Sequence, residues 1–289
     1  MLYTPKNHFN WQVDNLAGVA LTDATGTSLP GHANANQKGA DTAILAGLAE
    51  DCYGISIGFS AGSTTSASRR HLVDLLIDPA AGVGGAGASW SVAIANLYSN
   101  SPQVGSGQTG VWFYFPLYLK AGTAFGGAHQ ENNATSPTVR IAVRLYGKPT
   151  RPDLLLCGTK VQTLGATTAS TEGTAVTPGT SNTWGSYSAS LGTLSLDSWW
   201  WQIGIGSTDT AMNAHTALYD AAVNATNKLT VAQEIPYTVA GTSEVASKGA
   251  FGRDLPIRNA SAGENVYVRG NCLNSASDTG MSAIVYALS

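Results

Sequence analysis

Ser198-Trp199-Trp200-Trp201-Gln202-Ile203-Gly204-Ile205-Gly206 is the stretch whose residue types most invite a chemical reading. Three consecutive tryptophans offer flat apolar rings, and an exposed ring on a β-sandwich can stack on the apolar face of a sugar. Alternate side chains of a strand point to opposite faces. Trp199, Trp201, Ile203 and Ile205 therefore share one side, and Trp200, Gln202 and Gly204 the other. An earlier stretch, Cys52-Tyr53-Gly54-Ile55-Ser56-Ile57-Gly58-Phe59, aligns with this one and sets Tyr53, Ile55, Ile57 and Phe59 against the first group. That group is expected to face the core. Trp200 aligns with Gly54, so a large apolar side chain stands where its counterpart has none. Two uses are open to Trp200 and Gln202: packing against another domain, the N-terminal arm or another subunit, or a platform for a glycan. Tryptophan is enriched at interfaces of the first kind.

Other residues capable of chemistry are scattered. His71 and His215 precede Asp74 and Asp220 by three and five residues, and a His/Asp pair can orient a general base. No nucleophile accompanies either pair, and His71 aligns with Ala217, so a structural role is expected. His8, His32 and His129 add no metal-binding spacing. No Gly-x-Ser-x-Gly elbow occurs. Asp51 aligns with Asp197, and Asp74 with Asp220; an acid present in both copies reads as a turn or cap residue. Nothing brings two carboxylates together across a sugar as a glycosidase requires. Glu131-Asn132-Asn133 and Ser207-Thr208-Asp209-Thr210 are too sparse for calcium. The expectation is a protein with no catalytic activity, cofactor or metal.

Composition narrows the class. Hydrophobic residues make up 43% of the 289, enough for a core, while charged residues are only 11%, against roughly 25% in an ordinary soluble domain. Gly, Ala, Ser, Thr and Asn take their place, which suits short strands, many turns and faces buried against other protein. The net charge of −3 and the absence of a basic run exclude a nucleic-acid footprint. Cys52, Cys157 and Cys272 are odd in number and far apart, which fits reduced thiols. The opening residues carry no apolar leader, and no stretch is long and apolar enough to cross a membrane as a helix.

These residues sit in a sequence written twice. Gly26-Thr27-Ser28-Leu29-Pro30-Gly31 matches Gly173-Thr174-Ala175-Val176-Thr177-Pro178-Gly179, at an offset of 147 from Gly26 to Gly173. Asn34 to Gly39 falls opposite Thr180 to Gly185, Leu45 to Asp51 opposite Leu191 to Asp197, and Leu72-Val73-Asp74 opposite Leu218-Tyr219-Asp220, at an offset of 146. Phe115-Pro116-Leu117 matches Leu255-Pro256-Ile257, and Ala142 to Tyr146 matches Ser282 to Tyr286, both at 140. The expected organisation is an N-terminal arm over 1–16, a first repeat over 17–147, a linker over 148–158 and a second repeat over 159–289. Tyr3, Phe9 and Trp11 are expected to dock the arm.

Within each copy Val111-Trp112-Phe113-Tyr114-Phe115, Val139 to Leu145, Val266-Tyr267-Val268 and Ile284 to Leu288 alternate or are rich in β-branched and aromatic residues, as strands are. The Ala-rich stretches Asp41 to Asp51 and Met212 to Val231 compete as helices, but their partners in the other copy contradict that. About eight short strands in some 130 residues point to an all-β chain of two tandem antiparallel β-sandwiches, jelly-roll-like and related by duplication.

Asn36-Gln37-Lys38-Gly39 read together with Asp51-Cys52-Tyr53-Gly54-Ile55 resembles virion structural proteins of tailed bacteriophages. The likeness covers Gly26 to Phe59 and, more loosely, the second copy, where Trp184-Gly185 replaces Lys38-Gly39. It implies a non-enzymatic subunit of a tail, fibre base or head surface, made in the bacterial cytoplasm and assembled with copies of itself and other virion proteins. A trimer of such two-domain chains would present a pseudo-sixfold ring. The rival expectation is a carbohydrate-binding module for host surface glycans. Neither reading involves nucleic acid or membrane.

Overall fold

The computed structural model describes residues 12–15, 26–61, 69–101, 111–132, 138–150, 157–171, 173–187, 189–204, 216–224, 229–238, 254–272 and 282–289. Tyr3, Phe9 and Trp11 lie outside the described residues, as do His8, Ile205, Ser207 to Thr210 and His215. The chain is all-β, and the one helical turn among the described residues is 3-10, at Ala169–Thr171.

The first copy runs β1 (Gln12–Asp14), β2 (Thr27–Pro30), β3 (Thr42–Leu45), β4 (Gly54–Ala61), β5 (Arg69–Asp78), β6 (Ser91–Ser101), β7 (Val111–Phe115), β8 (Ala124–Glu131) and β9 (Thr138–Tyr146). One of its sheets has the order β1-β9-β4-β7, with β2 also paired to β9; the other follows β3-β8-β5-β6. The second copy runs β10 (Val161–Leu164), β11 (Thr174–Ala175), β12 (Ala189–Thr193), β13 (Ser198–Gly204), β14 (Thr216–Val223), β15 (Leu229–Thr238), β16 (Asp254–Ala260), β17 (Asn265–Cys272) and β18 (Ser282–Leu288). Its sheets take the same order, β10-β18-β13-β16 with β11 on β18, and β12-β17-β14-β15. Two four-stranded antiparallel sheets in this order make a jelly roll, and it is present twice. The stretches that competed as helices hold β3 and β14.

Alternation builds each core. In the first copy Ile55, Ile57, Phe59, Phe113, Phe115, Val139, Ile141, Val143 and Leu145 point inward and are buried. In the second, Trp201, Ile203, Tyr219, Ala221, Val223, Val266, Val268, Ala283, Val285 and Ala287 form one cluster. Trp201 Nε1 donates to Ser198 Oγ at 2.8 Å, which satisfies the indole in that cluster. Trp199 departs from the expectation: it is half-buried and outside the cluster. The register between β13 and β16 shifts between Ser198 and Trp200, and a bulge of this kind breaks the two-residue period.

The copies agree at the level of single bonds. Gly26 and Gly173 have φ of 97° and 105°, and a Cβ on them would lie 2.7 Å from Ile141 O and 2.8 Å from Ala283 O. Asn36 and Asn182 share a φ of 59°, and their amides donate to Glu131 O and Cys272 O at 2.7 and 2.9 Å. Leu48 exchanges backbone bonds with Thr123 and Gly122 (3.1 and 2.8 Å), as Leu194 does with Glu264 and Gly263 (3.0 and 2.8 Å).

Two sequence expectations are corrected by register. Ile55 pairs with Leu145, and Trp201 with Ala287. The last strands therefore match at an offset of 142, not 140: Tyr146 is level with Leu288, and Tyr286 with Arg144. β1 pairs with β9 as β10 pairs with β18, so Gln12–Asp14, read as arm, is the first strand of the first repeat. By compactness the chain divides into a unit of Met1–Ser63, Val73–Ala95 and Gly110–Lys160 and a unit of Thr64–Leu72, Asn96–Thr109 and Val161–Ser289. The stretch expected as linker, 148–158, thus falls within the first unit. Gly158 bridges to Leu117 there, donates to Pro116 O at 2.9 Å and accepts from Tyr118 N at 2.7 Å.

Candidate functional site

The faces turned away from the two cores are where the copies part. In the first copy that face of β9-β4-β7 carries Gly54, Ser56 and Gly58 on the central strand, flanked by Tyr114 on β7 and by Arg140, Ala142, Arg144 and Tyr146 on β9. Register fixes the neighbours: Ser56 pairs with Tyr114 and with Arg144, Gly54 with Tyr146, and Gly58 with Trp112 and Ala142. Ser56, Tyr114, Arg140, Ala142 and Arg144 are half-buried, so this face meets solvent.

Its polar atoms are arranged around two aromatic rings. Tyr114 and Tyr146 have ring centroids 6.2 Å apart at 58°. The Tyr146 hydroxyl lies 3.1 Å from Ser56 Oγ. Arg144 Nη2 donates to Asp14 Oδ2 at 3.4 Å, while its buried Nε has no hydrogen-bond partner. Arg140 Nη1 donates to Gly26 O at 3.2 Å. Sequence reasoning missed this cluster. Its trace was the polar half of the alternation in Thr138-Val139-Arg140-Ile141-Ala142-Val143-Arg144, but the residues come from three strands far apart in the chain.

The equivalent face of the second copy is closed. Trp200 is 8% exposed, Gln202 3%, and Ile284, Tyr286 and Leu288 0%. Trp200 and Gln202 lie on the side expected, and both are buried there. Gln202 Oε1 is buried without a hydrogen-bond partner. The Tyr286 hydroxyl accepts from Tyr98 N at 2.9 Å, and burial pushes its pKa up.

The acids singled out by the repeat hold backbone or a counter-charge. Asp51 Oδ1 accepts from Ala121 N, and Asp197 Oδ1 from Ala262 N, both at 2.8 Å; the Tyr118 hydroxyl adds a bond to Asp51 at 3.1 Å. Asp74 pairs with Lys38 at 2.7 Å. Asp220 accepts from Arg269 Nε and Nη2 at 2.9 and 2.7 Å. The cation has moved between copies. Trp184 stands where the first copy has Lys38, and the Arg269 guanidinium lies 4.8 Å from its ring and 4.6 Å from that of Tyr187, a cation–π arrangement.

His71 and His129 are buried at 1% and 0% exposure. Burial, helped by the charge of Lys38, pushes His129 down to about 4. Cys52, Cys157 and Cys272 are free, and burial raises Cys52 and Cys157 to about 11, which keeps both as thiols at neutral pH. Among the described residues no three His, Cys, Asp or Glu side chains gather as metal ligands would, and no helix is long and apolar enough to cross a membrane.

No protein-family model and no curated protein matches the chain. Among solved structures, PNGF-II is 8% identical over 98% of this chain and 66% of that one, with a TM-score of 0.42. The chain thus spans just under two thirds of that protein. The tandem CBM22-1-CBM22-2 domains of Paenibacillus barcinonensis Xyn10C are 10% identical over 88% of this chain and 75% of that one, TM-score 0.24. PBSX exported protein XepA is 10% identical over 90% and 84%, TM-score 0.23. At these levels of similarity the fold rests on the strand order above.

Proposed function

We propose that the chain is a non-enzymatic structural subunit of a tailed-phage virion, in the tail, fibre base or head surface. It acts through contacts with copies of itself and with other virion proteins. The observation that carries this reading is the retention of one backbone frame in both jelly rolls, down to the Asp51–Ala121 and Asp197–Ala262 bonds, while the outward faces diverge. The repeated acids are engaged in holding turns and counter-charges. Two domains with one frame can take near-equivalent places in a ring, and different faces then give each place its own neighbours. The low charge and the resemblance over Gly26 to Phe59 support the same reading.

Cross-linking of the purified chain followed by mass spectrometry tests it. Cross-links between chains, with a three-membered species, are expected; cross-links confined to single chains would overturn the proposal.

A second reading, carbohydrate binding, is favoured by one observation: the open face holding Ser56, Tyr114, Arg144 and Tyr146. Titration with oligosaccharides tests it.

A further inference from the structure

We infer that the chain assembles head to tail, with β15 of one chain added to the β1 edge of the next, beside that chain's open outward face. The inference rests on the assembly reading above. The second compact unit holds a contact of this kind already made. That unit joins Thr64–Leu72 and Asn96–Thr109, which hold the start of β5 and the end of β6, to Val161–Ser289. Within it β10 has β18 on one side and β6 on the other. Asn96 Nδ2 donates to Ala166 O and Tyr98 N to the Tyr286 hydroxyl, both at 2.9 Å, and Arg70 Nη1 donates to Ser170 O at 3.3 Å. On this side Trp200, Gln202, Ile284, Tyr286 and Leu288 are all buried.

Duplication leaves both halves of the same contact unused. β15 is to the second jelly roll what β6 is to the first, and β1 is to the first what β10 is to the second. Among the described residues β15 pairs with β14 alone and β1 with β9 alone. The face beside β1 is correspondingly open: Ser56, Ala142 and Arg144 are half-buried where Gln202, Ile284 and Tyr286 are buried. Val13 on β1 is 37% exposed, and the equivalent Gln162 on β10 is 8% exposed. Backbone direction agrees. Asn15 N donates to Val143 O at 3.3 Å, so the alternate amides of Gln12 and Asp14 point to the open side. Asn224 N donates to Asn265 O at 3.1 Å, which turns Val223 toward Leu229 and leaves Thr230 pointing outward. Pro236 also points outward but has no N–H, so pairing falls on the part of β15 before it. An open strand edge is a template for another strand. A contact between unlike surfaces repeats from chain to chain and makes a ring where the rotation closes.

Sedimentation velocity of the full chain and of edge variants tests the inference. Gln12→Pro removes an outward amide from β1, and Thr230→Pro removes one from β15. Each variant alone should associate at least tenfold more weakly than the wild type, because every contact needs one β1 and one β15. Mixed in equal amounts, the two should form a two-membered species and nothing larger, since the one sound contact joins β15 of the Gln12→Pro chain to β1 of the Thr230→Pro chain. Thermal unfolding checks that each variant keeps its fold. Val13→Lys leaves the backbone bonds in place and should weaken association several-fold; it carries the test if either proline disturbs the fold. Association as strong as wild type in Val13→Lys or in both folded proline variants overturns the inference while keeping the assembly reading. Association lost in folded proline variants and not regained on mixing overturns the head-to-tail pairing. A wild-type chain that stays monomeric overturns both the inference and the assembly reading.

Discussion

The Tyr114 hydroxyl lies 2.8 Å from where a Cβ on Gly54 would sit, with ring atoms Cε2 and Cζ at 3.2 and 3.3 Å. Gly54 is thus the counterpart of a ring supplied by the neighbouring strand. The second copy reverses the arrangement: Trp200 takes the position of Gly54, and Asp254 takes the register position of Tyr114. The tryptophan that looked unexplained in the sequence has an aromatic counterpart after all, on a different strand.

Gly54→Ala should destabilise the chain by about 1 kcal/mol, because the new methyl must push the far end of a tyrosine. Tyr114→Ala introduced alongside it should remove that penalty. A double-mutant cycle by denaturant unfolding measures the coupling; additive effects would mean that the ring does not hold Gly54's space.

Asp51→Ala should cost about 1–2 kcal/mol and Asp197→Ala less, since each loses a backbone amide bond but Asp51 also loses the Tyr118 hydroxyl and Asp197 is exposed. Thermal unfolding of the two variants gives the comparison.

Acid should act in two windows. His129 stays neutral in the folded chain down to about 4, against an ordinary value of 6.5. Unfolded chains therefore bind the extra proton between those values, and stability falls as pH drops from about 6.5 to about 4, by up to about 1.4 kcal/mol per pH unit. His129→Gln should flatten that limb. Asp78 acts in the same sense at lower pH. Amide bonds from Ala88 and Ser89, at 2.8 and 3.0 Å, hold it below its ordinary 3.8. Its contribution is full above that value and is lost only as pH falls through its lower folded pKa. Asp78→Asn should remove that lower window and leave the His129 limb intact. Unfolding curves across pH separate the two.

Arg269→Lys should destabilise the second copy although the charge is kept, by about 1 kcal/mol, because an ammonium cannot make the two-nitrogen contact to Asp220 while lying over Trp184 and Tyr187. Restoring the first copy's arrangement, with Trp184→Lys in an Arg269→Ala background, should recover part of the loss. Denaturant unfolding checks both.

Much of this architecture was legible in the sequence. Val111 to Phe115 and Val139 to Leu145 alternate cleanly because one face is core and the other solvent. The duplication was legible because Gly26, Asn36, Gly173 and Asn182 hold left-handed backbone that few residues adopt. The final strand was set two residues off because Tyr146 and Tyr286 look alike, whereas hydrogen-bond register makes Tyr146 level with Leu288. β8 had no signal: all eight of its residues, Ala124 to Glu131, are buried, so nothing alternates. The open face was not legible either. Gly54, Tyr114 and Arg144 meet only once three distant strands are paired.

Sedimentation velocity of the full chain over a concentration series tests the central claim, that the duplicated jelly roll is an assembly subunit. Self-association to a trimer or a larger closed species is predicted. A single monomeric boundary at every concentration would contradict it.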